Sequence, residues 1–233
     1  MSSDPLVLVS EVDRATTRLL DTATALDADP AVPSLLPGWT RGHLLTHVAR
    51  NADAMVNLLT WARTGVVTPG YPSPAHRAAG IEAGAGRSWD LLLADVRATH
   101  ERFLAAAEEL SAERWLVELD TPPGPPRPAA FVAWRRLREV EMHHVDLAAG
   151  YTPRDWPESF AHRVLHEVAG GLPGVSLTLH PEGLGHPVPV GAGGPPDLHG
   201  TGYALAAWLT GRSPGTDLTV EPSGTLPAIP DWM

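Results

Sequence analysis

Apolar residues recur every three or four positions in four long segments of the first 150 residues, a spacing typical of amphipathic helices. The segments are 5–27, 40–63, 88–110 and 129–149. Ser3 or Asp4, Thr40 and Ser88 stand at the starts of the first three segments as candidate N-caps. Residues 65–87 are rich in glycine and proline and lack a clear period, so we predict a long loop there. The pattern as a whole predicts a four-helix bundle.

Gly150 ends the fourth predicted helix, and the pattern changes beyond it. The tail combines short helical segments with short runs of alternating or β-branched residues. The helical segments are 157–169 and 201–210, and the candidate strands are 175–179, 187–190 and 218–220. We therefore expect an α+β protein with two domains, a helical bundle at 1–150 and a small α+β domain at 151–233.

The composition is typical of a globular chain. Hydrophobic residues make up 43% of the 233 positions and charged residues 19%, and no apolar run has the length of a membrane span. The first residues lack the basic and apolar regions of a secretory leader. We therefore expect a cytoplasmic protein that does not bind membranes.

Charge and residue usage narrow the possible chemistry. The net charge is −10, which disfavours binding to the phosphates of nucleic acids. All 17 basic residues are arginine, a usage typical of GC-rich genomes such as those of actinobacteria. The absence of cysteine excludes disulfides, thiolate metal ligands and a thiol nucleophile carried by the chain. The eleven histidines are therefore the first candidates for metal chemistry.

Three pairs of metal-capable side chains are spaced four residues apart, which puts each pair on one face of a helix. The pairs are His43/His47, Glu139/His143 and His162/His166. A divalent-metal site needs three or four ligands, and bundle proteins commonly draw them from more than one helix. Two of the pairs would supply such a site, whereas an isolated pair is also typical of half-exposed or core histidines.

The fourth predicted helix carries the most informative arrangement. Glu139, His143 and Asp146 form a polar row beside the apolar stripe of this helix. A ligand pair with a further carboxylate that orients the ligand histidine would need such a row. A solvated face with an ordinary intrahelical Glu–His pair would show it as well, so spacing alone leaves both interpretations open. Glu141 lies on the opposite side of the helix and is a poor ligand candidate.

Three segments of the chain carry a resemblance to a known family. They are PGWTRGHLLTHVARNADA at 37–54, IEAGAGR at 81–87 and REVEMHHVDL at 138–147. They resemble the mycothiol-dependent maleylpyruvate isomerases, which belong to the DinB-like metalloprotein superfamily. The tail segment AAWLTGR at 206–212 resembles the end of the family's C-terminal domain, which is similar to sterol-carrier folds. The resemblance extends over nearly the whole chain and implies the same arrangement of a bundle followed by a tail domain.

The resemblance also implies a set of site residues. In that family a histidine of the second helix, with a glutamate and a histidine of the fourth, holds a divalent metal for which zinc is the expected ion. The matching residues here are His47, Glu139 and His143. Arg77 and Arg212 match the positions of substrate-binding arginines, although the segment around Arg77 matches less closely.

Three other residues of the motifs have expected roles outside the ligand set. His43 also matches a family position, and we expect it to be structural. The His162/His166 pair lies outside the family's metal motif, so we expect no metal there. Asp146 is a candidate either for orienting a metal-bound histidine or for solvation of the helix end or a contact between the domains.

The activity that the resemblance implies is the conversion of maleylpyruvate to fumarylpyruvate in gentisate degradation, with mycothiol as a cofactor. A metal-activated thiolate would add to the double bond, allow rotation and be eliminated. Because the chain has no cysteine, the thiol would come from outside. Two alternatives stay open: a mycothiol S-transferase that conjugates an electrophile, and a non-catalytic, metal-stabilised ligand-binding protein. We expect a monomer whose partners are a small dicarboxylate and the thiol.

Overall fold

The structure, a computed structural model, describes residues 4–26, 28–121, 124–222 and 224–230. The chain divides into two compact units, one that ends at Tyr151 and one that begins at Thr152. The described part of the first unit contains five α-helices: α1 (Pro5–Leu26), α2 (Arg41–Thr64), α3 (Pro74–Ala85), α4 (Trp89–Glu108) and α5 (Ala130–Asp146). Within the described ranges, no helix is both long enough and apolar enough to cross a bilayer.

Four of these helices form a bundle around an apolar core. α1 packs against α4 and α5, and α2 packs against the same two helices. α1 and α2 are therefore diagonal to each other, although they are neighbours in the sequence. Trp134, Phe103 and Leu92 are among the large side chains that are fully buried in the core. The periodic apolar faces of the predicted helices meet in this core, which confirms the prediction of a helical N-terminal part.

The N-terminus of α2 is set by a capping box. The side chain of Thr40 accepts a hydrogen bond from the backbone N–H of His43 at 3.4 Å, and Nδ1 of His43 accepts one from the backbone N–H of Thr40 at 3.2 Å. Nε2 of His43 lies 3.3 Å from Glu82. These contacts confirm Thr40 as the N-cap and give His43 a structural part at the start of the helix.

The predicted long loop at 65–87 is wrong, because α3 occupies Pro74–Ala85. Ser73 caps this helix with its side chain. The glycines of the segment suggested a loop, but Gly84 faces α2 so closely that a side chain there would collide with Thr46. Glycine at this position permits the close approach of two helices rather than a turn of the chain.

The fourth predicted helix corresponds to α5, which ends at Asp146 rather than at 149. Ala148 has a φ of 55°, in the left-handed region, so the helix cannot continue to Gly150. Arg41 satisfies the carbonyl groups at this end, because its Nε donates to the oxygen of Leu147 at 2.9 Å and its Nη2 to that of Ala148 at 2.6 Å. The start of α2 thereby caps the end of α5, a contact that no local pattern reveals.

The described part of the second unit combines a four-stranded sheet with two α-helices. Its elements are α6 (Glu158–Ala169), β3 (Leu177–Glu182), β4 (Val188–Val190), β5 (Asp197–Thr201), α7 (Gly202–Leu209) and β6 (Thr219–Glu221). The strand order is β4-β3-β5-β6, in which β3 and β5 are parallel and the other two pairs are antiparallel. α6 packs against α7, and α7 also packs against β3 and β5. The predicted α+β class is confirmed.

The prediction of short strands succeeds only in part: β4 and β6 match the predicted 187–190 and 218–220 to within one residue, but other strands do not. β3 shares only residues 177–179 with the predicted strand at 175–179 and continues to Glu182, and β5 was not predicted at all. In the first unit, β1 (Glu118–Leu119) pairs with β2 (Arg127–Pro128), which was also missed. β5 has only Leu198 as a large apolar residue facing inward. Strands this short form because a neighbouring strand pairs with them, so their own sequences carry little signal.

Candidate metal centre

Three potential metal ligands from two helices converge in the first unit. His47 lies on α2, and Glu139 and His143 lie one turn apart on α5. Nε2 of His47 is 2.9 Å from Oε2 of Glu139, and Nε2 of His143 is 3.3 Å from the same oxygen. One donor atom from each residue lies within 4.8 Å of the other two. Among the residues that the structure describes, this is the one such group of three.

The packing of α2 against α5 buries these side chains. Their exposed side-chain fractions are 3% for His47, 7% for His143 and 17% for Glu139. The two imidazole rings meet edge to face, with centroids 4.8 Å apart and an angle of 84° between their planes. The donor atoms therefore share a small volume that is largely shielded from water.

Burial and hydrogen bonding together set the charges of the cluster. Burial lowers the pKa of His47 to about 4, although the hydrogen bond with Glu139 acts in the opposite direction. Burial alone would raise the pKa of Glu139, but hydrogen bonds from His143 and His47 outweigh it and hold that pKa well below its usual range. Near neutral pH, His47 is therefore uncharged and Glu139 is ionised. These are the states in which the two side chains bind a cation.

Asp146 orients the ring of His143. Nδ1 of His143 donates to Oδ2 of the buried Asp146 at 2.9 Å, and Nε2 of the same ring faces Glu139. Burial would lower the pKa of His143, but its contacts with Asp146 and Glu139 raise it overall. A carboxylate that accepts from the outer nitrogen of a ligand histidine is the usual support of metal-bound imidazoles. The geometry therefore favours the orienting role of Asp146 over solvation of the helix end.

The donor set fits a divalent cation such as zinc. Two imidazole nitrogens and one carboxylate oxygen are a common zinc set, and three protein ligands leave one coordination position open. The oriented ring of His143, the uncharged ring of His47 and the ionised Glu139 all meet the requirements of such a site. The residues present therefore match the metal that the family resemblance implies.

The second histidine pair and Glu141 have other surroundings. His162 packs against Gly202, and the ring of His166 lies 6.2 Å from that of His186. Glu141 is buried on the other side of α5, where it accepts hydrogen bonds from Arg18 and from the hydroxyl of Tyr151. Burial raises the pKa of Glu141.

Arg77 lies on α3, beside the ligand cluster. Its Nη2 donates to Nδ1 of His47 at 3.3 Å, and its guanidinium lies 6.0 Å from the ring centre of Trp39. The Trp39 ring meets the His47 ring edge to face at 5.4 Å. Arg77 and Tyr71 also line a cavity of about 380 Å³ whose other walls include Met55. The guanidinium of Arg77 therefore lies between the ligand cluster and a cavity of the size that small molecules occupy.

Three residues of this region were missed by sequence reasoning, namely Trp39, Tyr71 and Arg136. The hydroxyl of Tyr71 is buried, and burial raises its pKa. Arg136 is fully buried between α5 and α2. Trp39 stands in the PGWT segment directly before a helix cap, which was a usable signal. Arg136 carried none, because arginine on a helix is most often exposed.

Arg212, the second arginine expected to bind substrate, belongs to the second unit. Its backbone N–H donates to the carbonyl oxygen of Ala207 at 2.8 Å, which ends α7. Its Nη1 donates to the carbonyl oxygen of Thr210 at 2.7 Å. Its part in substrate binding stays a prediction from the family resemblance.

A helical unit in which two helices bring together two histidines and a glutamate defines a class of bundle proteins with a candidate divalent-metal centre. Within this class, the sequence model of the mycothiol maleylpyruvate isomerase N-terminal domain matches residues 12–148. The chain therefore belongs to the mycothiol-dependent maleylpyruvate isomerase family, a family of isomerase enzymes, as the sequence motifs predicted.

Solved structures extend this similarity beyond residue 148. A crystal structure of the mycothiol-dependent maleylpyruvate isomerase matches with a TM-score of 0.90 and 30% identity, covering 98% of this chain and 97% of that chain. A crystal structure of a histidine-to-alanine mutant of that isomerase matches with a TM-score of 0.89 and the same identity and coverage. No curated protein sequence matches the chain.

Proposed function

We propose that the chain catalyses the mycothiol-dependent isomerisation of maleylpyruvate to fumarylpyruvate. The observation that carries this proposal is the convergence of His47, Glu139 and His143, with Arg77 directly beside them. The cluster offers a site for a metal that binds thiolates, and the arginine offers a partner for a substrate carboxylate. Membership of the isomerase family supports the same reaction.

His47, Glu139 and His143 would hold the divalent ion, with zinc as the expected metal. An ion bound there would stabilise the thiolate form of mycothiol at neutral pH in its open coordination position. Asp146 would keep Nε2 of His143 directed at the ion, through the hydrogen bond to Nδ1. Because the side chains are largely buried, their shielding from water would also strengthen the electrostatic interactions at the site.

The thiol would add to the carbon–carbon double bond, allow rotation about the resulting single bond, and leave unchanged when the double bond re-forms. This thiol would come from outside the chain, since the sequence has no cysteine. The residues of the chain would then have two tasks, to bind the substrate's carboxylates and to stabilise the enolate that addition creates.

Arg77 would perform the first of these tasks in the N-terminal unit. Its planar guanidinium can bind a carboxylate through two hydrogen bonds, and it lines the cavity of about 380 Å³. Trp39 supports the guanidinium from one side through a cation–π contact. Arg212 would bind the second carboxylate, a role that rests on the family resemblance.

The experiment that tests the reaction follows the mycothiol concentration during turnover of maleylpyruvate by the metal-loaded protein. An isomerase returns its thiol after each cycle, so we expect many product molecules for each mycothiol and no net loss of the thiol. Consumption of one thiol for each product would identify an S-transferase instead. No reaction with maleylpyruvate at all would contradict the proposal.

A further inference from the structure

A fully buried arginine joins the two helices that carry the candidate ligands. Arg136 lies on α5, one turn before Glu139, and has no exposed surface. Its Nη1 donates to the backbone oxygen of Val48 at 2.8 Å and to Oδ1 of Asn51 at 3.0 Å, both on α2. Val48 directly follows His47, and Asn51 lies one turn beyond it. The guanidinium therefore bridges α5 and α2 at the level of the metal centre.

The two hydrogen bonds constrain α2 at two points. The contact with Val48 restricts the position of the helix along its axis, and the contact with Asn51 restricts its rotation. His47 belongs to the same stretch of α2, and its side chain faces α5. The position of its ring therefore depends on both hydrogen bonds of Arg136. Metal–ligand distances are defined to within about 0.2 Å, so a small displacement of α2 would weaken the site.

Burial of this charge does not by itself stabilise the fold. Its partners at Nη1 are two uncharged oxygens, and its Nε and Nη2 have no hydrogen-bond partner among the described residues. Burial lowers the pKa of Arg136 to about 10, although Glu139, Tyr71 and Asp53 act electrostatically in the opposite direction. An apolar side chain of similar length would fill the space without the free-energy cost of removing a charge from water. The arginine therefore contributes to helix placement more than to stability.

We propose that Arg136 is a positioning residue of the metal centre, which holds the His47 turn of α2 at the separation from α5 at which His47, Glu139 and His143 bind one divalent ion. This inference rests on the proposed metal site. It adds a residue that neither touches the metal nor belongs to the ligand motif. The residue acts through the backbone of α2, at a carbonyl adjacent to a ligand.

The test uses the full chain with Arg136→Met, which fills a similar volume without charge or donors. We expect the metal-free variant to melt at the same temperature as the unchanged protein or higher. We expect its dissociation constant for Co²⁺ to rise at least about tenfold, because residues that support metal ligands typically contribute factors of 10 to 100 to affinity. The visible absorption of bound Co²⁺ should change as well, since the ligand geometry is altered.

Two further variants separate geometry from charge and from general packing. Arg136→Lys keeps the charge but has no planar fork, so it should recover only part of the Co²⁺ affinity. Arg50→Met is the matched control, because Arg50 precedes Asn51 on α2 but bonds Asp95 on α4, at 2.7 Å. This control should bind Co²⁺ as tightly as the unchanged protein.

The outcomes distinguish this inference from the proposed metal site. An unchanged protein that binds no Co²⁺ would overturn both. Tight Co²⁺ binding by the unchanged protein and equally by Arg136→Met would overturn the positioning role alone, as would a loss of metal-free stability without a loss of affinity. If Arg136→Met does not fold, Asn51→Ala provides the test, because it removes one of the two acceptors of Arg136. Unchanged affinity for Co²⁺ in this variant overturns the positioning role of Arg136, and weaker Co²⁺ binding supports it.

Discussion

The imidazole of His47 has a different partner on each of its nitrogens. Arg77 can only donate, so Nδ1 of His47 is the acceptor and Nε2 carries the ring hydrogen towards Glu139. If Nε2 of His47 were to hold a metal ion, the ring hydrogen would lie on Nδ1, which could then no longer accept a hydrogen bond from Arg77. Metal binding would therefore free the guanidinium for a carboxylate at the moment the site becomes functional.

Replacement of Arg77 by alanine should separate substrate binding from metal binding. We expect the metal content of Arg77→Ala to stay at the level of the unchanged protein, because no ligand is lost. Its kcat/KM for maleylpyruvate should fall about 10- to 100-fold, since a hydrogen bond to a charged group contributes about 1.5–3 kcal/mol. Metal analysis and steady-state kinetics measure the two effects. Arg63→Ala, which removes a half-exposed arginine paired with Glu109, is the control and should keep normal kinetics. Normal kinetics in Arg77→Ala would contradict the assignment of Arg77 to substrate binding.

The metal ligands themselves give a prediction that needs no substrate. The purified protein should contain about one divalent ion per chain, and His47→Ala and His143→Ala should each lose it, because two remaining ligands hold such an ion weakly. Elemental analysis after dialysis measures the content. His166→Ala, in the other histidine pair, is the control and should keep its metal. Loss of the ion from this control, or its retention in both ligand variants, would contradict the assigned site.

At the scale of elements, the position of α3 depends on close contacts with α2. A side chain at Gly42 would collide with the backbone oxygen of Ala85, and one at Gly84 would collide with Thr46. Both contacts involve glycines at which the two helices approach each other. Because α3 carries Arg77, these contacts also determine how far the guanidinium lies from His47.

Alanine substitutions at two helical glycines should therefore have opposite effects. Gly42→Ala should lower the free energy of unfolding by about 1–3 kcal/mol, because the new methyl group overlaps a backbone atom that cannot rotate away. Gly80→Ala is the matched control, since no atom lies within 4 Å of the added carbon and α3 is helical there. It should raise the free energy of unfolding by about 0.4–1 kcal/mol. Urea denaturation measures both, and equal effects would contradict the predicted packing.

At the scale of the whole molecule, the first unit holds every residue of the candidate metal centre. Its last residue, Tyr151, donates from its hydroxyl to Glu141 at 2.6 Å and stacks on His144 at 3.7 Å between ring centres. The end of this unit is therefore anchored in its own core. We propose that the chain consists of two domains whose boundary in the sequence follows Tyr151, close to the predicted boundary at 150.

A fragment of residues 1–152 tests this division. We expect it to be helical, to unfold cooperatively and to bind about one divalent ion, because it retains the bundle, the ligands and the contact of Tyr151. Far-UV circular dichroism and metal analysis measure these properties, with the full chain as the control. A fragment that is unfolded, or that lacks the metal which the full chain binds, would show that the second unit is required for the first.

Most residues of the candidate site could be predicted from the sequence, partly from residue spacing and partly from the resemblance to a family. Their spacing of four on a predicted helix made Glu139 and His143 one of three candidate ligand pairs, although an ordinary solvated pair stayed an alternative. Spacing could not join them to His47 in preference to other histidines, and the resemblance to a family supplied that step. The orientation of His143 by Asp146 was one of two open interpretations until the distance between them was known.

The sequence by itself determined the elements that depend on short-range interactions. The apolar period and the cap residues predict α1, α2, α4 and α6 closely, because a helix is built from contacts within one turn. Only the tertiary structure decided α3, β5, the capping of α5 by Arg41 and the burial of Arg136. Each of these depends on groups far apart in the chain that come together only in the folded protein, and such contacts leave no period in the local sequence.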